Sequence, residues 1–278
     1  MESVVSNAST AGANATPDLH QGSPERFGYK WNRYSRMLPA HQEQFRRWTV
    51  PLRPEDWRGA AFLDVGCGMG RNSFWPLRDG AARGVAIDVD ERSLACARRN
   101  LQGLETVKVR EISAYEIPYE DEFDISFSLG VIHHLESPEV ALANMVKATK
   151  PGGKVLIWVY GRENNEWIIR FVDPLRKALL SRLPIRLLDH LSLGPTALLW
   201  LALRAGLGRT DYMRLIRRFG FWHLHEIVFD QLLPRTACYW TRDEVERLMR
   251  GAGLDEVELH WVNQISWTAI GRKPRAAI

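Results

Sequence analysis

The fold of this chain is decided by residues 62–71, which read Phe62-Leu63-Asp64-Val65-Gly66-Cys67-Gly68-Met69-Gly70-Arg71. The first half is apolar, as in a buried strand, and the alternate glycines allow a tight turn into a helix. Their spacing differs from that of the dinucleotide fingerprint, whose third glycine comes one residue later. A strand, a glycine-rich turn and a helix in this order predict a ligand site close to the backbone, although a purely structural turn would read the same way.

A second signal is Asp88, which ends the next predicted strand 18 residues after Gly70. A carboxylate at the end of this strand can accept hydrogen bonds from both hydroxyls of a ribose. Val89 follows it and could pack on an adenine face. A lone aspartate at a strand end can also be a solvated turn residue, but its register with the glycine turn favours the ribose role.

Apolar runs alternate with amphipathic stretches in the way that is typical of a parallel sheet. The predicted strands are 61–65, 84–87, 107–112, 123–129, 154–159, 256–261 and 264–271. The last two are joined by the short link Val262-Asn263 and must therefore pair antiparallel. We expect an α/β fold, with a Rossmann-like, seven-stranded, mostly parallel sheet flanked by helices and a helical cap inserted between strands 5 and 6.

Further motifs follow at regular places along the chain: Ile87-Asp88, Ile117-Pro118 with Phe123-Asp124, residues 129–135 (LGVIHHL) and Lys150-Pro151-Gly152-Gly153. Together with residues 62–71, their order and spacing resemble the class I S-adenosylmethionine (SAM)-dependent methyltransferases. Within this family, the sequence more specifically resembles the small-molecule branch that includes ubiquinone-type enzymes. It covers about residues 60–160, and the closing segment 241–273 also fits.

The resemblance implies SAM as the cofactor and assigns eight contact residues: Asp64, Gly66, Gly68, Asp88, Val89, Ser113, Ala114 and Leu129. The two glycines would line the methionine part, Asp64 would reach its amino group through water, and the Leu129 carbonyl would accept from the same amine. Ser113 and Ala114 lie where the family contacts adenine. Many relatives have Asp at the position of Ser113, whose hydroxyl would bind the adenine amino group more weakly.

The chain divides into four expected regions: a flexible leader, residues 1–24; an aromatic arm, 25–58; the SAM-binding core, 59–160 with 236–278; and a helical cap, 161–235. We expect the arm to fold over the cofactor, because a stretch so rich in aromatic side chains is costly to expose. Tyr29, Trp31 and Tyr34 would shield the sulfonium, since a cation favours an aromatic face. The cap would cover the carboxyl ends of the strands and set the choice of substrate.

Candidates for a catalytic base are few, and a base is needed only if the acceptor arrives protonated. His133 and His134 follow the fourth strand, where α/β sheets bind ligands. His134, or a pair formed by His223 and His225, is the predicted catalytic group, although each could be structural. Three further side chains could contact substrate: His133, Tyr160 and Tyr239. The histidines offer no convincing ligand set, so no metal is expected.

The net charge of +4 is concentrated in the cap, where residues 162–220 hold eleven Arg or Lys against five Asp or Glu. The arginines at 170, 176, 182 and 186 could bind an acidic group, or the basic cap could dock on a membrane. Three cysteines without metal or disulfide spacing, and a leader without an apolar stretch, favour a cytoplasmic protein. Nothing in the sequence indicates an oligomeric state.

The expected reaction is methyl transfer from SAM to an oxygen, nitrogen or sulfur atom of a small molecule. A nucleic acid is the less favoured acceptor, because the fourth strand ends in Ser128-Leu129-Gly130-Val131 and not in the Asn/Asp-Pro-Pro-aromatic loop that grips a base amine. The Pro-Cys pair for pyrimidine carbon methylation is also absent. A nucleic-acid methyltransferase and a SAM-binding regulator without catalysis stay open as alternatives.

Overall fold

The computed structural model describes residues 22–208 and 210–275, so residues 1–21 of the expected leader lie outside the described part. The centre of the fold is a seven-stranded sheet in the order β3-β2-β1-β4-β5-β7-β6. The strands are β1 Ala61–Val65, β2 Arg83–Asp88, β3 Val107–Glu111, β4 Phe123–Leu129, β5 Thr149–Tyr160, β6 Asp255–Val262 and β7 Ser266–Arg272. Strands β1 to β5 are parallel, and β7 pairs antiparallel with β5 and β6. The predicted fold is confirmed.

Helices occur in three groups. Before the sheet come α1 Pro24–Arg33, α2 Pro39–Trp48 and α3 Pro54–Trp57; flanking it are α4 Arg71–Arg78, α5 Glu91–Asn100, α6 Pro138–Ala148 and α12 Arg242–Gly251. Between β5 and β6 lie α7 Asp173–Ala178, α8 Ile185–Leu191, α9 Leu193–Arg204, α10 Asp211–Ile216 and α11 Phe221–Leu232. None of the described helices is long and apolar enough to cross a membrane.

Strand β5 begins five residues earlier than its apolar run predicts. The motif Lys150-Pro151-Gly152-Gly153, which follows α6, lies inside the strand span. Gly152 has φ 79°, and its N–H donates to the carbonyl of Lys273 at 2.8 Å. The turn residues therefore form an irregular start to the strand, which the pairing with β4 records as a shift in register between Phe123 and Ile125.

Part of the aromatic arm belongs to the core of the sheet. Phe45 of α2 and Trp57 of α3 are fully buried and pack edge-on against Phe62 and Phe127 of the central strands. Truncating a buried aromatic side chain of this kind typically costs about 3–5 kcal/mol. The aromatic residues of the arm thus have two different positions. Those of α2 and α3 cover one face of the sheet, whereas those of α1 lie over the carboxyl ends of the strands.

Candidate active site

The glycine-rich turn after β1 has the backbone that its sequence demands. Gly66, Gly68 and Gly70 have φ values of 76°, 52° and 78°, in the left-handed region that favours glycine. The amide of Gly66 donates to the carbonyl of Ile87 at 2.8 Å, which ties the turn to the end of β2. A Cβ on Gly66 would lie 2.4 Å from the side chain of Val131, so the turn also has no room for a side chain.

Asp88 is held at the end of β2 by backbone donors. Its Oδ2 accepts from the amide of Gly68 at 2.9 Å, and its Oδ1 accepts from the amides of Val89 and Asp90 at 2.8 and 3.1 Å. Burial raises the pKa of Asp88, and the three amides oppose that shift. The carboxylate is fixed beside the glycine turn, where a ribose would lie.

Asp64 lies behind the turn, away from the cavity wall. Its Oδ2 accepts from the hydroxyl of Ser73 at 2.6 Å, and burial raises its pKa to about 7. A contact with the amino group of the cofactor would have to pass through an intervening water, as the sequence analysis expects. That role stays a prediction.

One cavity of about 700 Å³ extends from the turn to the cap. At the cofactor end, five of the eight predicted contact residues line its wall: Gly66, Asp88, Val89, Ala114 and Leu129. Ile112, which the sequence analysis did not select, lines it too. The hydroxyl of Ser113 instead accepts from the amide of Tyr115 at 3.1 Å. The adenine end of the site is therefore mainly apolar.

The arm lies over this end of the cavity, but with a different set of aromatic residues from the one predicted. Trp31 lines the cavity and covers Gly68, where an added Cβ would lie 2.7 Å from the indole nitrogen. Phe27 and Trp48 also line the cavity. Tyr29 and Tyr34, by contrast, are not on the cavity wall.

The two tyrosines bind the cap instead of shielding the cofactor. The hydroxyl of Tyr29 donates to Asp189 at 3.3 Å, and that of Tyr34 bonds to the imidazole of His225. Arg26 strengthens this attachment, because its guanidinium donates to the carbonyls of Leu233 at 2.6 Å and Ser181 at 3.0 Å. Helix α1 is thus fixed between the glycine turn and the cap.

His134 lines the cavity in a defined tautomer. Its Nδ1 lies 2.8 Å from the carbonyl of Thr236, so Nδ1 carries the proton and Nε2 is left as an acceptor. Burial lowers its pKa to about 4. His133 is fully buried against the ring of Tyr160, at 4.0 Å between centroids, and burial lowers its pKa well below the ordinary range.

His223 and His225 do not form the expected pair. Residues two apart on a helix point to different sides, and α11 turns only His223 into the cavity. His223 stacks on Phe219 at 4.0 Å, and burial lowers its pKa to about 4. His225 is buried between the arm and the cap, with Nε2 2.8 Å from the hydroxyl of Ser192. His225 is thus placed as a structural residue.

The far end of the cavity holds polar groups from three distant elements. The Tyr160 hydroxyl, at the end of β5, donates to Oδ2 of Asp230 at 3.4 Å and accepts from Nε2 of Gln231 at 3.1 Å. The ammonium of Lys30, on α1, donates to Oδ1 of Asp230 at 2.5 Å. Tyr239 stacks on Tyr160 with ring centroids 5.5 Å apart. We call this group the acceptor end.

Charge sets the state of Asp230. Burial alone would raise its pKa, but the ammonium of Lys30, together with smaller contributions from His134 and Arg71, outweighs burial and holds the pKa below its ordinary value. The carboxylate is therefore ionised and can only accept hydrogen bonds. The residues predicted from sequence on this helix were His223 and His225, and Asp230, Gln231 and Lys30 were not among the predicted site residues. The helical spacing of His223, Glu226, Asp230 and Gln231 was the signal that could have found this face.

One group beside the cavity has the spacing of a metal site. His41, His223 and Glu226 place potential ligand atoms within 4.8 Å of one another. However, Nδ1 of His41 accepts from the amide of Leu38 at 3.2 Å, which leaves the proton on Nε2. Glu226 already faces two cations, with Lys30 at 3.8 Å and Arg71 at 3.6 Å. Tautomer and charge both disfavour a cation here.

Comparisons with known proteins define the class. Residues 63–157 match the family model described as a methyltransferase domain. A SAM-dependent methyltransferase from Aquifex aeolicus shares the fold with a TM-score of 0.54 and 18% identity, over 88% of this chain and 97% of that one. The Haloferax volcanii complex of the Trm112 methyltransferase activator with a methyltransferase gives a TM-score of 0.57 and 15% identity, over 94% and 99%.

Residues 63–157 therefore carry a methyltransferase domain, the chain has the fold of known SAM-dependent methyltransferases, and the predicted cofactor, SAM, is confirmed. The narrower likeness to ubiquinone-type enzymes stays an expectation that these comparisons do not bear out.

The names of the curated relatives indicate a substrate other than the small molecule expected from the sequence. The tRNA U34 carboxymethyltransferase of Shewanella denitrificans is 31% identical over 132 residues, which are 41% of this chain and 40% of that protein. The protein of the same name from Shewanella loihica is 28% identical over 180 residues, 58% of this chain and 48% of that protein. The chain spans less than half the length of these relatives.

These relatives overturn the expectation of a small-molecule acceptor and of nucleic acid as an unfavoured partner. That expectation was wrong because it depended on two missing motifs. The loop that grips a base amine serves methylation of amino groups, and the Pro-Cys pair serves methylation of pyrimidine carbons. Neither motif is needed when the acceptor is an oxygen or a ring nitrogen, so their absence does not exclude a nucleic-acid acceptor.

Proposed function

We propose that the protein transfers a methyl group from SAM to a base of tRNA. The observation that carries the proposal is one continuous cavity, which joins a cofactor end suited to SAM to an acceptor end lined by aromatic rings and hydrogen-bonding side chains. The names of the curated relatives support tRNA as the acceptor. In this proposal the protein acts in the cytoplasm, the location expected from the sequence.

A cavity covered by α1 and the cap can receive only a base that has left its stack. Enzymes that modify bases turn the target out of the nucleic acid and hold it between aromatic and polar side chains. The acceptor end offers both, with the rings of Tyr160 and Trp158 on the wall beside Asp230 and Gln231. Single-stranded tRNA loops present such bases at low cost.

The surface around the cavity mouth fits an RNA backbone. Trp167 lines the mouth with 59% of its surface exposed, and Phe171 is 67% exposed. The guanidinium of Arg170 lies 5.7 Å from the ring centre of Phe171. Exposed rings with arginines are the platforms on which proteins stack unpaired bases.

Of the cap arginines considered for binding an acidic group, Arg182 and Arg186 are exposed as well, whereas Arg176 is buried against Asp173. The exposed arginines would contact phosphates, and Arg176 would not.

The chemistry asks mainly for alignment, because the sulfonium of SAM supplies an already activated methyl group. The chain would hold the acceptor in line with the methyl group and keep water out. At pKa values of about 4, His134 and His223 are neutral and weakly basic at physiological pH. Nε2 of His134 can therefore accept a hydrogen bond from the methyl-accepting group. In this proposal His134 does not act as a strong base.

The test is transfer of tritium from methyl-labelled SAM into unfractionated bacterial tRNA that lacks its modifications, with ribosomal RNA, DNA and a metabolite pool as parallel acceptors. We expect acid-insoluble label in tRNA alone. The matched control is Asp88→Ala, which should lose most of this transfer, because a hydrogen bond to a charged group typically contributes about 1.5–3 kcal/mol. A wild-type protein that binds SAM but labels only metabolites would contradict the proposal.

A further inference from the structure

Arg71 is a cation on the cavity wall whose hydrogen-bonding edge is unused. It is the first residue of α4, directly after the glycine turn, and only 12% of its side chain is exposed. It makes no hydrogen bond with any of the residues that the structure describes, and its ion pair with Glu226, at 3.6 Å, is longer than a hydrogen bond. Because a guanidinium has five N–H groups, Arg71 has donors left for a ligand.

Two indole rings of the arm hold this guanidinium in place. Its central carbon lies 5.0 Å from the ring centre of Trp31 and 5.4 Å from that of Trp48. An arginine that stacks on aromatic faces keeps its N–H groups in its own plane, where they can bind a carboxylate. Trp31 also covers Gly68. Arg71 is therefore oriented beside the glycine turn, where the methionine part of the cofactor is expected.

Gln44 of α2 supplies a second unused group. It is 6% exposed and lines the cavity, and its Oε1 is buried without a hydrogen-bond partner among the residues described. Trp48 lies one turn later on the same face of α2, so Gln44 is on the side of this helix that faces Arg71. A buried acceptor without a donor is costly, and a ligand that brings a donor removes that cost.

The methionine end of SAM has the two complementary groups. Its α-carboxylate is the only anionic group of the cofactor, and its α-ammonium carries three protons. The ribose is expected at Asp88, and the adenine end of the site is mainly apolar. An arginine and an amide carbonyl on the cavity wall beside the glycine turn therefore match the amino-acid end of the cofactor and no other part of it.

We propose that Arg71 binds the α-carboxylate of the cofactor's methionine and that Gln44 accepts a hydrogen bond from its α-ammonium. The inference concerns the cofactor and does not depend on tRNA as the acceptor. The ammonium can still donate to the carbonyl of Leu129 and to a water beside Asp64, the partners that the family resemblance implies. Bound cofactor would then connect α2 of the arm to the start of α4.

The experiment compares three ligands by calorimetry: S-adenosylhomocysteine, its methyl ester and 5′-methylthioadenosine. The ester keeps the ammonium but has no charged carboxylate, whereas 5′-methylthioadenosine lacks both groups. The wild-type protein should bind S-adenosylhomocysteine at least about tenfold more tightly than the ester, because the ester loses a hydrogen bond between two charged groups. Arg71→Gln should bind S-adenosylhomocysteine at least about tenfold more weakly and no longer distinguish it from the ester. 5′-Methylthioadenosine should bind both proteins alike.

Two further variants complete the comparison. Gln44→Leu, in which the side chain keeps a similar size, should weaken S-adenosylhomocysteine and its ester equally, by about threefold or more, since both ligands keep the ammonium. Arg78→Gln removes an exposed arginine of the same helix, α4, and is the matched control for Arg71→Gln. It should change none of the three affinities.

The carboxylate site is overturned if the wild-type protein binds S-adenosylhomocysteine and its ester equally well, a result that requires no variant to fold. It is also overturned if Arg71→Gln loses affinity for S-adenosylhomocysteine and 5′-methylthioadenosine to the same extent, because Arg71 would then have only a packing role. Since no arm of this experiment uses tRNA, a failure of this inference is distinguishable from a failure of the proposed function.

Discussion

The two ends of the cavity are assembled in different ways. At the cofactor end, Asp88 accepts from the amide of Gly68, only 20 residues earlier, and backbone groups make most of the bonds. At the acceptor end, Lys30 reaches Asp230 across 200 residues, and Tyr160 reaches it across 70. Local backbone geometry builds the first end, whereas tertiary packing of the arm, the sheet and the cap builds the second.

The largest expected effect is at the glycine turn. In Gly66→Ala, the left-handed backbone costs about 1–2 kcal/mol, and crowding against Val131 adds about 1–3 kcal/mol. SAM affinity measured by calorimetry should fall by roughly 100-fold. Gly59→Ala is the matched control, because Gly59 has φ 72° but nothing within 4 Å of an added Cβ. Equal SAM affinity in the two variants would show that the turn is not the cofactor site.

A smaller effect is expected where the arm meets the cap. Arg26→Gln removes the guanidinium that holds the carbonyls of Leu233 and Ser181, and buried acceptors without donors are costly. The free energy of unfolding should drop by about 1.5–3 kcal/mol in urea titrations, and S-adenosylhomocysteine should dissociate faster. Arg36→Gln, an exposed arginine of the arm, should change neither quantity. Unchanged dissociation in Arg26→Gln would mean that α1 does not retain the cofactor.

The free energy of unfolding should also depend on pH. Burial lowers the pKa of His41 to about 2, and those of His134 and His223 to about 4. Below the ordinary value near 6.5, the unfolded chain binds protons that the folded chain does not, so the free energy of unfolding should fall between pH 6.5 and 4.

Asp64 acts in the opposite sense, because its pKa is raised to about 7 and its contribution is lost as the pH rises towards that value. Asp64→Asn should therefore steepen the loss of stability on acidification, as followed by urea titrations at pH 5 and pH 7. A profile that becomes flatter in this variant would contradict the assignment of the buried carboxyl as the opposing group.

The difference between the two ends of the cavity also explains which features could be predicted from the sequence. The seven strands, the glycine turn and the place of Asp88 follow from apolar runs, glycine spacing and register, which are local. The arm over the cofactor could be anticipated from its aromatic residues, but not which of them face inward. Tyr29 and Trp31 are two residues apart on α1, and only the packing of that helix against the cap decides that Trp31 faces the cavity.

The residues of the acceptor end could not be predicted from the sequence for a related reason. Histidines are the usual choice for a base near neutral pH, and this favoured His223 and His225 over the residues beside them. Helix α11 places Glu226, Asp230 and Gln231 on the face of His223. A helical projection of residues 221–232 would have separated the two histidines, but the meeting of Lys30 with Asp230 depends on the arm, which no local pattern places.

The most direct test of this division is to measure two quantities on the Asp230→Asn variant: the affinity for SAM, and kcat/KM for methyl transfer to unmodified tRNA. If the two ends are separate, SAM affinity stays within about twofold of the wild type while kcat/KM falls at least about tenfold, the size expected for a hydrogen bond to a charged group. A parallel fall of both quantities, or full activity with tRNA, would contradict the account.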